Sequence, residues 1–170
     1  MPRSSYASLV RRAMAPIAAS LVLAACGSRE PAAPASAPAP LVQRGALQLR
    51  AAFEVPAGRG AGDTLWVVVT ARNTSAAPVT IETSPCTVSV RLLAAAAGAG
   101  ASATFHDDFQ RPCARMLVMI PLAAGATHTF RHPVPMSEIS PAAPRAVQAH
   151  VQVDIAPQPV LLTGGTFTLP

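Results

Sequence analysis

Val147, Ala149, Val151, Val153 and Ile155 are separated from one another by Gln148, His150, Gln152 and Asp154. A period of two places the apolar set on one face of a pleated strand and the polar set on the other. A helix would scatter the same residues around its axis, so this stretch constrains the chain to a half-buried sheet. The pattern recurs. Leu47, Leu49, Ala51, Phe53 and Val55 share a face against Gln48, Arg50 and Glu54. Thr64 to Arg72 is β-branched and apolar on both faces, which predicts a central strand. Val79 to Thr83, Cys86 to Leu93, Arg115 to Ile120 and Thr127 to Val134 read as further short strands, the last with Phe130 and Val134 facing the core.

Turn chemistry separates the runs. Pro56 to Gly62, Asn73 to Pro78, Ser84-Pro85, Pro121 to Ala126 and Met136 to Pro144 break them. Ala94 to Ala103 reads as an Ala/Gly loop, and His106-Asp107-Asp108 to Pro112 as a polar, exposed one, with a cation site at His106-Asp107-Asp108 as the alternative. Val160 to Leu162 and Thr166 to Leu169 suggest a last short strand or a hairpin around Gly164-Gly165. Without a convincing helix, the expected fold is an all-β antiparallel sandwich of about seven to eight strands over residues 42–170.

The first 41 residues have a different character. Arg3, Arg11 and Arg12 precede an apolar run, Ala13 to Ala25, that is shorter than the about 20 residues needed to cross a bilayer. A basic start, a short apolar run and small exit residues are the parts of a secretory signal. Leu23-Ala24-Ala25-Cys26 resembles the bacterial lipobox, at which a lipoprotein is acylated on the cysteine and cut just before it. The resemblance implies a signal peptide over 1–25 and a lipid on Cys26. The alternative is an ordinary cleaved signal with a stray cysteine. Gly27, in place of Asp, points by the enterobacterial sorting rule to the outer membrane, facing the periplasm, rather than the inner. Ser28 to Pro40 is Pro/Ala-rich and should be disordered or polyproline-like. As a spacer it could reach roughly 40 Å.

Composition narrows the function. All 13 basic residues are arginine, and three leave with the signal, so ten face eight acids for a net of +2. That field is too weak to argue for nucleic acid. Trp66 and five phenylalanines are the aromatics beyond the signal, few for stacking platforms. With Cys26 used by the lipid, Cys86 and Cys113 remain, and two cysteines in an exported domain most simply pair. A redox or copper-thiolate site is the alternative.

Residues 65–134 resemble the immunoglobulin-like domains of bacterial lipoproteins, including the intracellular proteinase inhibitor (BsuPI-like) family. The shared features are the apolar strand ending in Asn73-Thr74-Ser75, then Pro78-Val79, and the Leu122-x-x-Gly125 turn. Gly-x-Tyr, which usually leads into that family's last long strand, is replaced here by Pro144-Arg145-Ala146. The resemblance implies an immunoglobulin-like sandwich acting as a binding or inhibitory module on an envelope protein. A second reading is extracytoplasmic copper binding through His128, His132 and Met136, with His106, Met116 and Met119 upstream, since imidazole and thioether suit copper. On an extended strand His128 and His132 lie about 13 Å apart, too far to share an ion without a bend. No nucleophile elbow, His-Glu-x-x-His pair or spaced carboxylate pair is present. The chain therefore reads as a non-enzyme with no cofactor, anchored to the membrane by its lipid.

Overall fold

The computed structural model describes residues 39–95, 103–114 and 116–170. The expected signal peptide, Cys26, nearly all of the linker, most of the Ala/Gly loop and Arg115 lie outside the described residues.

Nine strands follow in order: β1 (Val42–Arg44), β2 (Leu47–Glu54), β3 (Thr64–Asn73), β4 (Val79–Ala94), β5 (Thr104–Asp107), β6 (Val118–Leu122), β7 (Thr127–Pro135), β8 (Ala146–Ile155) and β9 (Val160–Thr168). A single turn of 3-10 helix, Met136–Glu138, sits between β7 and β8. One sheet runs β1-β2-β3-β7. The other runs β5-β4-β8-β9, with β6 also on β4. Every pairing is antiparallel. The chain is the all-β sandwich its alternation predicts.

The core lies between the sheets. Leu49, Leu65, Val67, Val69 and Val134 come from one; Ile81, Val90, Leu92, Val147, Val151 and Leu162 come from the other. Burying a branched side chain of this size contributes about 1.5–3 kcal/mol, which is why the period-two runs dictate the architecture. β3 is central between β2 and β7, as its composition predicts. Its outer face is half-buried, with Arg131 lying 4.9 Å over the Trp66 ring and pairing with Glu54 at 2.5 Å.

Several details depart from the sequence reading. β1 is additional: Gly45, at φ +57°, and Ala46 make a two-residue turn into β2. Val79–Thr83 and Cys86–Leu93 are not separate strands but two halves of β4. Thr83 pairs with Ile155 and Val88 with Val153, so Ser84 to Thr87 bulge opposite Asp154 alone. Pro85 lacks an N–H and is tolerated because the bulge leaves the ladder there. The Thr87 hydroxyl donates to the Ser84 carbonyl at 2.6 Å, and the Thr83 hydroxyl to the Asp154 carbonyl. β6 begins and ends later than expected and takes in Pro121 and Leu122. Of the two readings of the closing segment, the strand holds and is longer than expected: β9 runs through Gly164-Gly165 with a bulge where Gly165 pairs with Ala149 and Thr163 with His150. Gly165 is required by close packing: a Cβ there would stand 2.4 Å from Cε2 of Phe53, whose ring stacks on Phe167 at 4.7 Å.

Asn73 and the turn from Leu122 to Gly125 meet in space. Asn73, fully buried, directs Nδ2 to the carbonyls of Ala77, Leu122 and Ala123 at 2.8, 3.2 and 3.1 Å. Its Oδ1 accepts from the Ser75 N–H at 2.9 Å. The turn ending β3 is thereby locked to the turn after β6, where Gly125 takes φ +72°. At the β4–β5 connection the Ala94 N–H donates to the Ala103 carbonyl at 3.1 Å, closing the ends of that loop.

Candidate functional site

Two features stand out from the scaffold. The first is built on β6. Its inward residues Val118, Ile120 and Leu122 pack towards the core, so Met119 and Pro121 point outward. β6 pairs with β4 on one side, and among the described residues no strand takes the other. Met116 and Leu117, just before it, and Met119 within it are more than half exposed. Met116 and Leu117 line a groove of about 400 Å³ together with Pro157 and Pro159 and the acidic residues Glu82 and Asp154. Contiguous exposed apolar side chains rimmed by charge mark interaction surfaces more often than chance decoration.

The second feature is a buried polar cluster. In Thr104–Asp107 only His106 is buried, while Thr104 and Asp107 are exposed and Phe105 is half-buried. His106 and Asp108 are buried, at 7% and 4% exposure, which corrects the expectation of a solvated loop. The short β5 carries this segment along the far half of β4: Arg91 pairs with Asp107 and Leu92 with His106. The Asp108 backbone N–H donates to the Val90 carbonyl at 3.2 Å, and the Val90 N–H returns a bond to Asp108 Oδ1 at 2.5 Å. Across the sandwich, His132 Nε2 on β7 lies 2.7 Å from Asp108 Oδ2. His106 Nε2 lies 3.8 Å from the same oxygen, and its Nδ1 lies 3.4 Å from the Glu138 carbonyl. Burial raises the Asp108 pKa, but the two imidazoles and the Val90 N–H outweigh it and hold the carboxyl well below the usual carboxylate range.

The remaining residues singled out in the sequence are placed as follows. Cys86, in the β4 bulge, and Cys113, ahead of β6, form a disulfide with Cα atoms 6.1 Å apart. The bridge ties β4 to the approach to β6, because β5 intervenes in the sequence. It borders a cavity of about 330 Å³ into which Asp108, His132, Ser89 and Gln152 also project. His128 and His132 stand on the same face of β7, opposite Ala71 and Val67 of β3. His128 makes an edge contact with Phe130 at 4.6 Å, and Met136 is buried in the core. The structure thus brings His132 to Asp108 and His106. As the side chains stand, no group of three or more His, Cys, Asp or Glu among the described residues could hold a metal ion. Sequence reasoning missed Asp108 because its partners are 18 and 24 residues away. The one local signal was the period of two that sets His106 and Asp108 on one side of Asp107.

No known family model matches the chain, and no curated protein matches it. Among solved structures, it is similar to a β-glucosidase from Listeria innocua in complex with glucose, at 16% identity and a TM-score of 0.34. That match covers 72% of this chain and 16% of the glucosidase. The chain is also similar to the GAE domain of GGA2p from Saccharomyces cerevisiae, at 17% identity and a TM-score of 0.23, covering 79% of this chain and 98% of that one. No activity or partner is carried over from either.

Proposed function

We propose that this chain is a lipid-anchored extracytoplasmic binding module, held at the bacterial cell envelope by an acylated Cys26. The outer membrane, facing the periplasm, is the proposed address. In this reading the β-sandwich engages an envelope protein in a protein–protein or proteinase-inhibitor-like manner. The observation that carries the binding role is the apolar patch of Met116, Leu117 and Met119 on an open sheet edge. An extended segment laid along β6 could add its backbone to the sheet and seat apolar side chains in the adjoining groove. Glu82 and Asp154 in that groove favour a partner with a basic residue beside those apolar ones. The disulfide supports an oxidising compartment, as the leader does.

The test uses the full chain in its native envelope. A photo-crosslinking side chain at Met119 should yield a discrete adduct that is lost on Leu117→Asp. The same group at exposed Arg50, on the other sheet, should yield none. Cys26→Ser should release the protein from membranes. Equal adducts from both positions would overturn the assigned face, and membrane retention of Cys26→Ser without a lipid label would overturn the anchor.

A further inference from the structure

The Asp108 cluster contains a polar atom with nothing to bond. His106 Nε2 is buried, its side chain only 5% exposed, and it has no hydrogen-bond partner. A buried polar atom without a partner costs about 1–3 kcal/mol, so such groups are rare and call for a cause. The other ring nitrogen faces the Glu138 carbonyl, which can only accept, so Nδ1 carries the hydrogen. Nε2 is then either a bare lone pair facing the Asp108 carboxylate or the second N–H of a cationic ring. Both forms call for positive charge between His106 Nε2 and Asp108 Oδ2. A proton can supply it to one ring. A metal ion would supply it to both rings at once, because His132 Nε2 converges on the same oxygen.

Two of the three ligand-to-ligand distances lie near those of such a site, and reaching it requires the side chains to shift. Ligands bound at about 2.0–2.1 Å to a tetrahedral ion lie about 3.4 Å from one another. The two nitrogen-to-oxygen separations here, 2.7 and 3.8 Å, fall on either side of that spacing. Shifts of about half an ångström to three-quarters of an ångström would bring both to it. As the side chains stand, the His132–Asp108 hydrogen bond closes the space. Coordination by His132 Nε2 displaces the proton it shares with Asp108, to its own Nδ1 or to water. The outer contacts are already those a metal site uses: Glu138 O orients His106, and the Val90 N–H orients the carboxylate through Oδ1. The neighbouring cavity of about 330 Å³, which His132 and Asp108 line, offers a way in and room for a water as fourth ligand.

We infer that His106 Nε2, Asp108 Oδ2 and His132 Nε2 form a binding site for one divalent first-row transition cation, Zn²⁺ or Cu²⁺ by ligand type. Two imidazoles and one carboxylate argue against Mg²⁺ or Ca²⁺, which take oxygen ligands. This inference stands apart from the binding role of β6 and does not depend on it.

The experiment titrates the purified full chain with ZnSO₄ or CuSO₄ alone, by calorimetry and, for copper, by electron paramagnetic resonance. The chain has four histidines, so His128→Gln and His150→Gln serve as matched controls. One equivalent should bind, with nitrogen coupling from two imidazoles. His106→Gln and His132→Gln should each weaken binding by at least about 100-fold and leave one coupled nitrogen. Thermal melts establish that each variant is folded. His132→Gln, on the half-buried side, keeps the test open should His106→Gln not fold. Acylated Cys26 offers no thiol; in unprocessed chain any contribution from it would be identical in all four histidine variants and is subtracted as a common background before binding is scored. No saturable binding to the folded wild type, or binding that survives His132→Gln or is lost with His128→Gln, would overturn the inference.

Discussion

Substitution of Asn73 separates a specific lock from general burial. Its Nδ2 lies within 3.2 Å of three carbonyl oxygens, and its Oδ1 receives the Ser75 N–H. Only this amide orientation satisfies the surroundings, since a flipped group would set oxygen against oxygen. Asn73→Ala removes two donated bonds and the one accepted from the Ser75 N–H, while the Ser75 hydroxyl, which also reaches Oδ1, can turn to the Ala77 carbonyl; at about 0.5–1.5 kcal/mol each, a loss of about 2–4 kcal/mol is expected. Asn73→Asp is closer in shape, yet it turns an anionic oxygen towards the same carbonyls. An unpaired buried charge costs about 3–5 kcal/mol when its partner is missing, so this variant should be the less stable of the two. The introduced carboxyl is disfavoured as a charge, so its folded-state pKa rises above the usual carboxylate value of about 3.9. Its destabilisation therefore grows as pH rises through that range and shrinks as pH falls. Urea unfolding followed by Trp66, the only tryptophan, measures both variants at pH 7 and pH 4. Equal stability of the two at pH 7, or a gap between them that does not narrow in acid, would refute the assigned hydrogen bonds.

Three further outcomes are expected. Gly165→Ala should cost about 1–3 kcal/mol by forcing the Phe53 ring off Phe167, and Phe53→Leu in the same chain should recover part of the loss in a double-mutant cycle of urea melts. Removing the Cys86–Cys113 bridge by paired serine substitutions should cost about 3–4 kcal/mol, read by denaturant midpoint under non-reducing conditions. In metal-free protein the charged Asp108 stabilises the fold fully above about pH 4 and progressively less as pH falls through its depressed folded-state value. Asp108→Asn should therefore lose about 1–3 kcal/mol at pH 7, by exchanging charge-assisted bonds for neutral ones, and distinctly less at pH 2.5.

The period-two runs of β2 and β8 were legible because burial of one face is their dominant energy, and β3 because its β-branched apolar residues suit a strand flanked on both sides. The joints were not. Pro85 and Gly164-Gly165 carry the same local signals whether the chain reverses or merely bulges, and the neighbouring ladder decides between them. β1 is too short for a period to show. In the polar cluster, His132 was legible as chemistry, but its partner was not. Asp108 reads as one of two loop acids until β5 turns it under β4. The apolar patch at Met116, Leu117 and Met119 was hidden for a related reason: hydropathy marked a strand without saying which face would be left uncovered.

The bond between Ala94 and Ala103 has a practical consequence. It pins the ends of the β4–β5 loop side by side, in register with the Leu93–Thr104 pair. Foreign sequence spliced between those ends would leave the ladder on either side intact. Each doubling of the insert's length would cost only about 0.6 kcal/mol in closure entropy. The sandwich therefore carries a ready graft point, one where an epitope tag or a whole reporter domain could ride as cargo.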